Sequence, residues 1–161
     1  REVGKGIIKD AFTSVVVKKL EAYGISVIHH AIVGDEPEKV VAEILRAKES
    51  GAEIIICTGG MSVDPDDSTP GAIRASGARV VRYGAPVLPG AMLLIGYYDD
   101  GTPVLGLPGC VMYAKATIFD LILPRIAADD PITREEIARH GHGGLCLGCE
   151  SCHFPICPFG K

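Results

Sequence analysis

The chain has 161 residues, which suits one domain, and its net charge of −4 at pH 7 gives no reason to expect a nucleic-acid partner. Apolar residues make up 47% and charged residues 22%, enough for both a core and a solvated exterior. No apolar run is long enough to span a bilayer, and the polar start, Arg1-Glu2-Val3-Gly4-Lys5-Gly6, reads as no secretory signal, so a cytoplasmic protein is expected.

In chain order, Asp10 reads as the cap of a first helix. Phe12, Val15, Val16 and Leu20 recur on it at helical spacing, and Gly24 is its stop. Residues 25–33 read as a strand. Asp35, Pro37 and Glu38 start a second helix, with Asp35 as cap; it buries Val40, Val41, Ile44 and Leu45 and ends near Gly51. Residues 53–58 form the next strand. Thr69-Pro70 opens a helix that Gly77 ends, with Thr69 as the better cap, and a short strand follows at 78–82. Residues 91–98 and 103–107 read as a hairpin around Asp99-Asp100-Gly101-Thr102. After Leu107-Pro108-Gly109 comes the longest predicted helix, with Val111, Ala114, Ile118, Leu121 and Ile122 on one face and Pro124 ending or kinking it. Asp129-Asp130-Pro131 breaks the chain, and Thr133 with Glu136 makes a capping box for a brief helix to about Arg139.

Alternating helices and strands predict an α/β domain: a three-layer, parallel-rich sheet with helices on both faces. Such a sheet begins on a strand, whereas this chain begins with a loop and a helix, so a preceding strand is expected. The division read from the sequence is an α/β body over 1–130 and a linker helix with a Cys-rich tail over 131–161. His29 and His30 are neighbours on the predicted strand, face opposite sides, and receive no role.

One stretch concentrates chemistry: Cys57-Thr58-Gly59-Gly60-Met61-Ser62-Val63-Asp64-Pro65-Asp66-Asp67-Ser68-Thr69-Pro70. A strand runs into a glycine pair, an acidic loop and a helix start, as at the carboxyl edge of an α/β sheet where ligands bind. Paired glycines let the backbone approach a ligand, and Asp66 and Asp67 are suited to a metal ion or a sugar hydroxyl.

Three places together resemble the molybdopterin-binding domain of molybdenum-cofactor biosynthesis proteins, of molybdotransferase and adenylyltransferase type. They are Thr58-Gly59-Gly60-Met61-Ser62-Val63 with Asp67 and Thr69; Ile32-Val33-Gly34-Asp35-Glu36; and Val87-Leu88-Pro89-Gly90 through Pro103-Val104-Leu105-Gly106-Leu107-Pro108-Gly109. The resemblance covers about residues 1–127, and the Asp10 region matches the segment after the family's first strand. It implies that Thr58, Gly59, Gly60, Met61, Ser62, Asp66 and Asp10 meet the pterin or its phosphate, with Pro108, Gly109 and Cys110 as the facing wall. It implies that Asp67 and Asp35 coordinate Mg²⁺ or position nucleotide phosphates while the pterin phosphate attacks. Dimers and trimers both occur among such relatives, so a homo-oligomer is expected.

Two departures stand out. Cys110 occupies the family's asparagine position, and Pro70 stands where molybdotransferases often carry lysine. They bear on catalysis more than on binding, so a non-catalytic carrier or sensor that meets a molybdoenzyme or redox partner is the second reading. A third follows from the competence/damage-inducible proteins, whose glycine pair and Asp-Asp loop Asp66-Asp67 resembles; it implies hydrolysis of a dinucleotide pyrophosphate such as ADP-ribose.

Of six cysteines, Cys146, Cys149, Cys152 and Cys157 crowd the end of the chain as C-x2-C-x2-C-x4-C, a pattern outside that family resemblance. In a body that reads as intracellular, metal binding is favoured over disulfides. Four thiols this close suit Zn²⁺ or an iron–sulfur cluster, with His153 as an alternative ligand.

Overall fold

The computed structural model describes residue 10 and residues 12–161 apart from 63 and 65. The polar start and Val63 of the glycine signature therefore lie outside the described residues. Four strands form one sheet in the order β1-β4-β3-β2: β1 (Ile55–Thr58), β2 (Arg79–Tyr83), β3 (Leu94–Tyr97) and β4 (Pro103–Leu107). β1 pairs with β4 in parallel, whereas β4–β3 and β3–β2 are antiparallel, the first of these being the predicted hairpin.

Alternation along the strands builds the layers. Leu105 and Leu107 of β4 and Ile95 of β3 face one side, where α1 (Phe12–Glu21), α4 (Ile118–Ala127) and α5 (Arg134–Arg139) supply Val16, Leu20, Ile118, Phe119, Ile122 and Ile137. Val104, Leu94 and Ile55 face the other, covered by Ile44 of α2 (Pro37–Glu49) and Ala72 and Ile73 of α3 (Thr69–Ala75). The α/β class with helices on both faces is thus as the sequence predicts.

Local chemistry explains most boundaries. Asp10 accepts bonds from the Thr13 N–H (3.2 Å) and hydroxyl at the start of α1. Thr133 and Glu136 cap α5 reciprocally.

Four expectations need correction. Residues 25–33 form no strand among the described residues, and Val27, Ile28, Ile32 and Val33 are exposed. A strand exists only through a hydrogen-bonded neighbour, and among the described residues none lies beside this segment. At α2 the cap is Glu36, without a side-chain cap bond, so Asp35 stands one residue outside. At α3 the cap position is Ser68, because the Thr69 hydroxyl is spent elsewhere. The long helix after Pro108 is split: a 3₁₀ turn (Gly109–Met112) precedes α4, which Thr117 and Asp120 start with their own capping box. α2, at 13 residues, is the longest described helix, and Pro124 sits inside α4 without ending it.

The last residues are attached to the body. Phe159 and Ile137 belong to the same buried cluster as the sheet, and Gly144 bridges Phe159.

Candidate functional site

The parallel register sets Ile55 opposite Val104 and Thr58 opposite Leu107. Both strands therefore end at the same level. The turn after Thr58 and the turn after Leu107 emerge side by side at the carboxyl edge of the sheet.

The first turn is built by its own sequence. Gly59 and Gly60 take φ of +80° and +56°. The Thr69 hydroxyl donates to the Gly59 carbonyl at 2.8 Å, so the start of α3 holds the glycine pair. A Cβ on Gly60 would lie 2.8 Å from that hydroxyl oxygen, which leaves the position to glycine. Met61, 2% exposed, drops into the sheet against Gly106, where a Cβ would lie 2.7 Å from the methionine sulfur. Its side chain is a core anchor, and only its backbone faces the loop.

The acidic part is braced internally. Asp67 Oδ2 accepts from the Ser62 N–H (2.5 Å) and from the Ser62 hydroxyl (2.8 Å). The Asp64 N–H donates to Ser62 Oγ, and the Asp66 N–H donates to Asp64 Oδ1. The Tyr83 hydroxyl at the end of β2 donates to the Ser62 carbonyl at 3.2 Å. Burial and the Asp67 charge push the Tyr83 phenol above its ordinary range against the opposing pull of Arg74. Sequence reasoning missed Tyr83, and it read Thr69 as a cap and as part of the glycine signature without its bond to the Gly59 carbonyl. The available signal was an aromatic at the end of a strand neighbouring the hairpin.

A cavity of about 1400 Å³ runs along the outer side of β1. It brings together Asp10, Asp35, Thr58, Gly59, Gly60 and Met61 with Ser62, Asp66, Asp67 and Gly109. Pro108 and Cys110 are outside its lining: Pro108 is buried and Cys110 half-buried. Met112 and the exposed Tyr113 line it instead from the second turn. Desolvation raises the Cys110 thiol, despite backbone N–H donors, so it is a neutral thiol at pH 7. Burial pushes Cys57 up to about 12.

The lining is acidic. Asp10, Asp35, Asp64, Asp66 and Asp67 are spread along it, no lysine or arginine is among the described residues that line it, and no three of its carboxylates are gathered as a metal site. Burial pushes the Asp10 carboxyl up, but the Thr13 hydroxyl and N–H, the Phe12 N–H and the His30 charge outweigh it. Asp10 therefore sits below the usual carboxylate range. His30 Nε2 lies 2.9 Å from the Thr13 hydroxyl, and His29 Nε2 lies 2.7 Å from Glu43 Oε1. Hard carboxylate oxygens are the ligand type that suits Mg²⁺. In the tail, all four cysteines are free thiols, and among the described residues no three or more His, Cys, Asp or Glu are gathered as a metal site.

Comparison with known proteins places this geometry. The family model described as "probable molybdopterin binding domain" matches residues 1–128. A competence-damage inducible protein of Listeria welshimeri is 38% identical over 64 residues, covering 40% of this chain and 15% of that protein. One from Bacillus cereus is 37% identical over 71 residues, covering 44% and 17%. The chain thus spans less than a fifth of the length of these relatives. Among solved structures, the molybdopterin biosynthesis enzyme MoaB of Thermus thermophilus superposes with a TM-score of 0.62 at 22% identity, over 82% of this chain and 92% of that one. The molybdopterin biosynthesis protein MoeA of Pyrococcus horikosii gives 0.58 at 23% identity, over 72% and 28%. At these identities the two structures establish a shared fold.

Proposed function

Because the chain belongs to the molybdopterin-binding domain family, matched over residues 1–128, we propose that the cleft between its two turns binds molybdopterin or its adenylylated form. The observation that carries this is the register of β1 on β4, which sets the Gly59-Gly60 turn beside the Pro108-Gly109 turn at one sheet edge. Backbone N–H groups of the glycine turn receive the terminal phosphate, while the Ser62 hydroxyl stays with Asp67 and shapes the loop. Tyr113, exposed at the lip, offers a flat face to the pterin ring.

The acidic lining supports a Mg²⁺-dependent site, with Asp67 and Asp35 as the carboxylates that hold the ion. When bound, the ion supplies charge neutralisation for the phosphates. Asp67 also fixes Ser62, so one carboxylate sets both the loop shape and the local charge. In an adenylyl transfer, a pterin-phosphate oxygen attacks the α-phosphorus of ATP, and the α–β bridging bond breaks to release pyrophosphate. The residues' task is to align those groups and exclude water.

A carrier reading rests on a different observation: Cys110 is a neutral, half-buried thiol outside the cleft lining, where the resemblance implies asparagine in the wall. The Asp66-Asp67 pair and the Listeria and Bacillus relatives support the dinucleotide-hydrolysis reading.

One experiment separates the three. Molybdopterin binding is measured anaerobically by equilibrium dialysis with and without Mg²⁺, followed by turnover assays with ATP, with molybdate and with ADP-ribose. Binding near micromolar that strengthens with Mg²⁺ is expected. In Asp67→Asn, turnover should fall by about 10²-fold or more while binding is kept within about tenfold. Binding without any turnover would favour the carrier; ADP-ribose hydrolysis without pterin binding would favour the third reading. No pterin binding and no hydrolysis would discard all three.

A further inference from the structure

The four tail thiols are a chemistry the cleft does not use. All are free; Cys149 and Cys152 are exposed, while Cys146 and Cys157 are half-buried and pack against the main core. They share one loop whose base is tied. The Gly144 N–H donates to the Pro158 carbonyl and the Gly160 N–H to the Gly144 carbonyl, both at 2.9 Å. The tie is tight: a Cβ on Gly143 would lie 2.2 Å from the Lys161 nitrogen. Phe159, 2% exposed, roots the base in the core, and His140 Nδ1 meets the Gly160 carbonyl at 2.8 Å. Cys146 and Cys157 are thus brought to the neck of a closed loop, with Cys149 and Cys152 further out.

Phe154 packs against the core and edge-on to Phe159, and the Cys146 N–H donates to the Leu88 carbonyl, but residues 147–153 between them are all exposed. No helix or named strand lies between 145 and 157, and Leu147 (81%) and Ile156 (88%) are exposed. Gly148, at φ +64°, already turns the chain between Cys146 and Cys149. An outer turn with no buried side chain of its own gains order from a cross-link or a metal. Four thiolates would leave excess negative charge around a divalent ion. A cation waits there: Lys115 Nζ donates to the Glu150 carbonyl at 2.5 Å and to the Cys149 carbonyl at 3.3 Å.

We propose that Cys146, Cys149, Cys152 and Cys157 form a four-thiolate site for a thiophilic metal centre, Zn²⁺ or an iron–sulfur cluster. The thiols are not gathered in this structure. Binding therefore draws the loop together over its fixed base, and each thiol that ligates releases its proton to solvent. The assignment is independent of the pterin cleft.

The test uses the whole chain prepared anaerobically and free of metal. One arm titrates Zn²⁺, and Co²⁺ as its spectroscopic substitute; the other supplies ferrous iron and sulfide. The site is upheld by one Zn²⁺ per chain with thiolate-to-cobalt charge-transfer absorption. It is equally upheld by one cluster per chain, and the two arms distinguish the centres. Cys149→Ser and Cys152→Ser, at exposed positions, should weaken the centre by about tenfold or more. Matching far-UV circular dichroism of the metal-free variants checks their fold. Substoichiometric binding in both arms overturns the proposal, as do serine variants that bind like the parent.

Discussion

The two sides of β4 make an instructive contrast. On one side lie β3 and the helix α4: Leu94, Ile95, Val104, Leu105, Leu107, Ile118 and Phe119 are all at 0% exposure. On the other, beyond β1, the segment 25–33 is just as aliphatic in sequence, yet Val27, Ile28 and Ile32 stay 45–59% exposed. Composition does not separate them. What separates them is a hydrogen-bonded neighbour that fixes the pleat and delivers alternate side chains to a covered face. The packed side is scaffold; the open side is where the cavity runs.

The contrast is sharpest for a residue in the packed side. Leu105→Ala removes a fully buried side chain from the centre of the main cluster. A loss of about 2–5 kcal/mol is expected, read as a lower denaturant midpoint with the slope unchanged. A loss under about 1 kcal/mol would mean that this side is no better packed than the other.

A smaller, pH-limited effect belongs to the α5 cap on the same side. The Thr133 N–H and hydroxyl, then Arg125, hold Glu136 at about 2, below its ordinary 4.5. With the folded value depressed, the cap's contribution is full above pH 4.5 and fades as pH falls towards 2. Melting temperature against pH should therefore drop more steeply in this window for the parent than for Glu136→Gln. Parallel curves would dismiss the cap as a stability element.

The smallest effect is expected on the open side. Ile28→Ser changes a side chain 59% exposed, and stability should move by no more than about 0.5 kcal/mol. A loss comparable to that of Leu105→Ala would show that the segment is covered in solution and would end the contrast.

Local signals carried the sequence reading far. The Thr133–Glu136 box, the Gly24 and Gly77 stops and the hairpin turn all act within four residues of themselves, so the sequence displays them. The misread features depend on distant partners. Thr69 looks like a cap because its true acceptor, the Gly59 carbonyl, is ten residues away. Met61 sits inside a ligand motif, and its burial is invisible without Gly106 opposite. The segment 25–33 has strand composition but needs a neighbour that composition cannot reveal. The split before α4 was legible: Thr117 with Asp120 marks it, but the apolar period from Val111 onward runs across the gap and masked it. The tail shows no regular apolar spacing, yet Phe159 is buried in the core and Cys146, Phe154 and Cys157 pack against it, a scattered set that makes no pattern in the sequence.

The pairing of Thr58 with Leu107 also limits how the molecule can change. A ladder moves in whole residues. A slip of one would turn Ile55 and Ile56 to the wrong faces, so the smallest slide that keeps the core intact is two residues, roughly 6–7 Å. No graded sliding of β1 along β4 can widen or narrow the gap between the turns. Adaptation to ligands of different size is left to the loops alone, and the sheet beneath them acts as a gauge with only one usable setting.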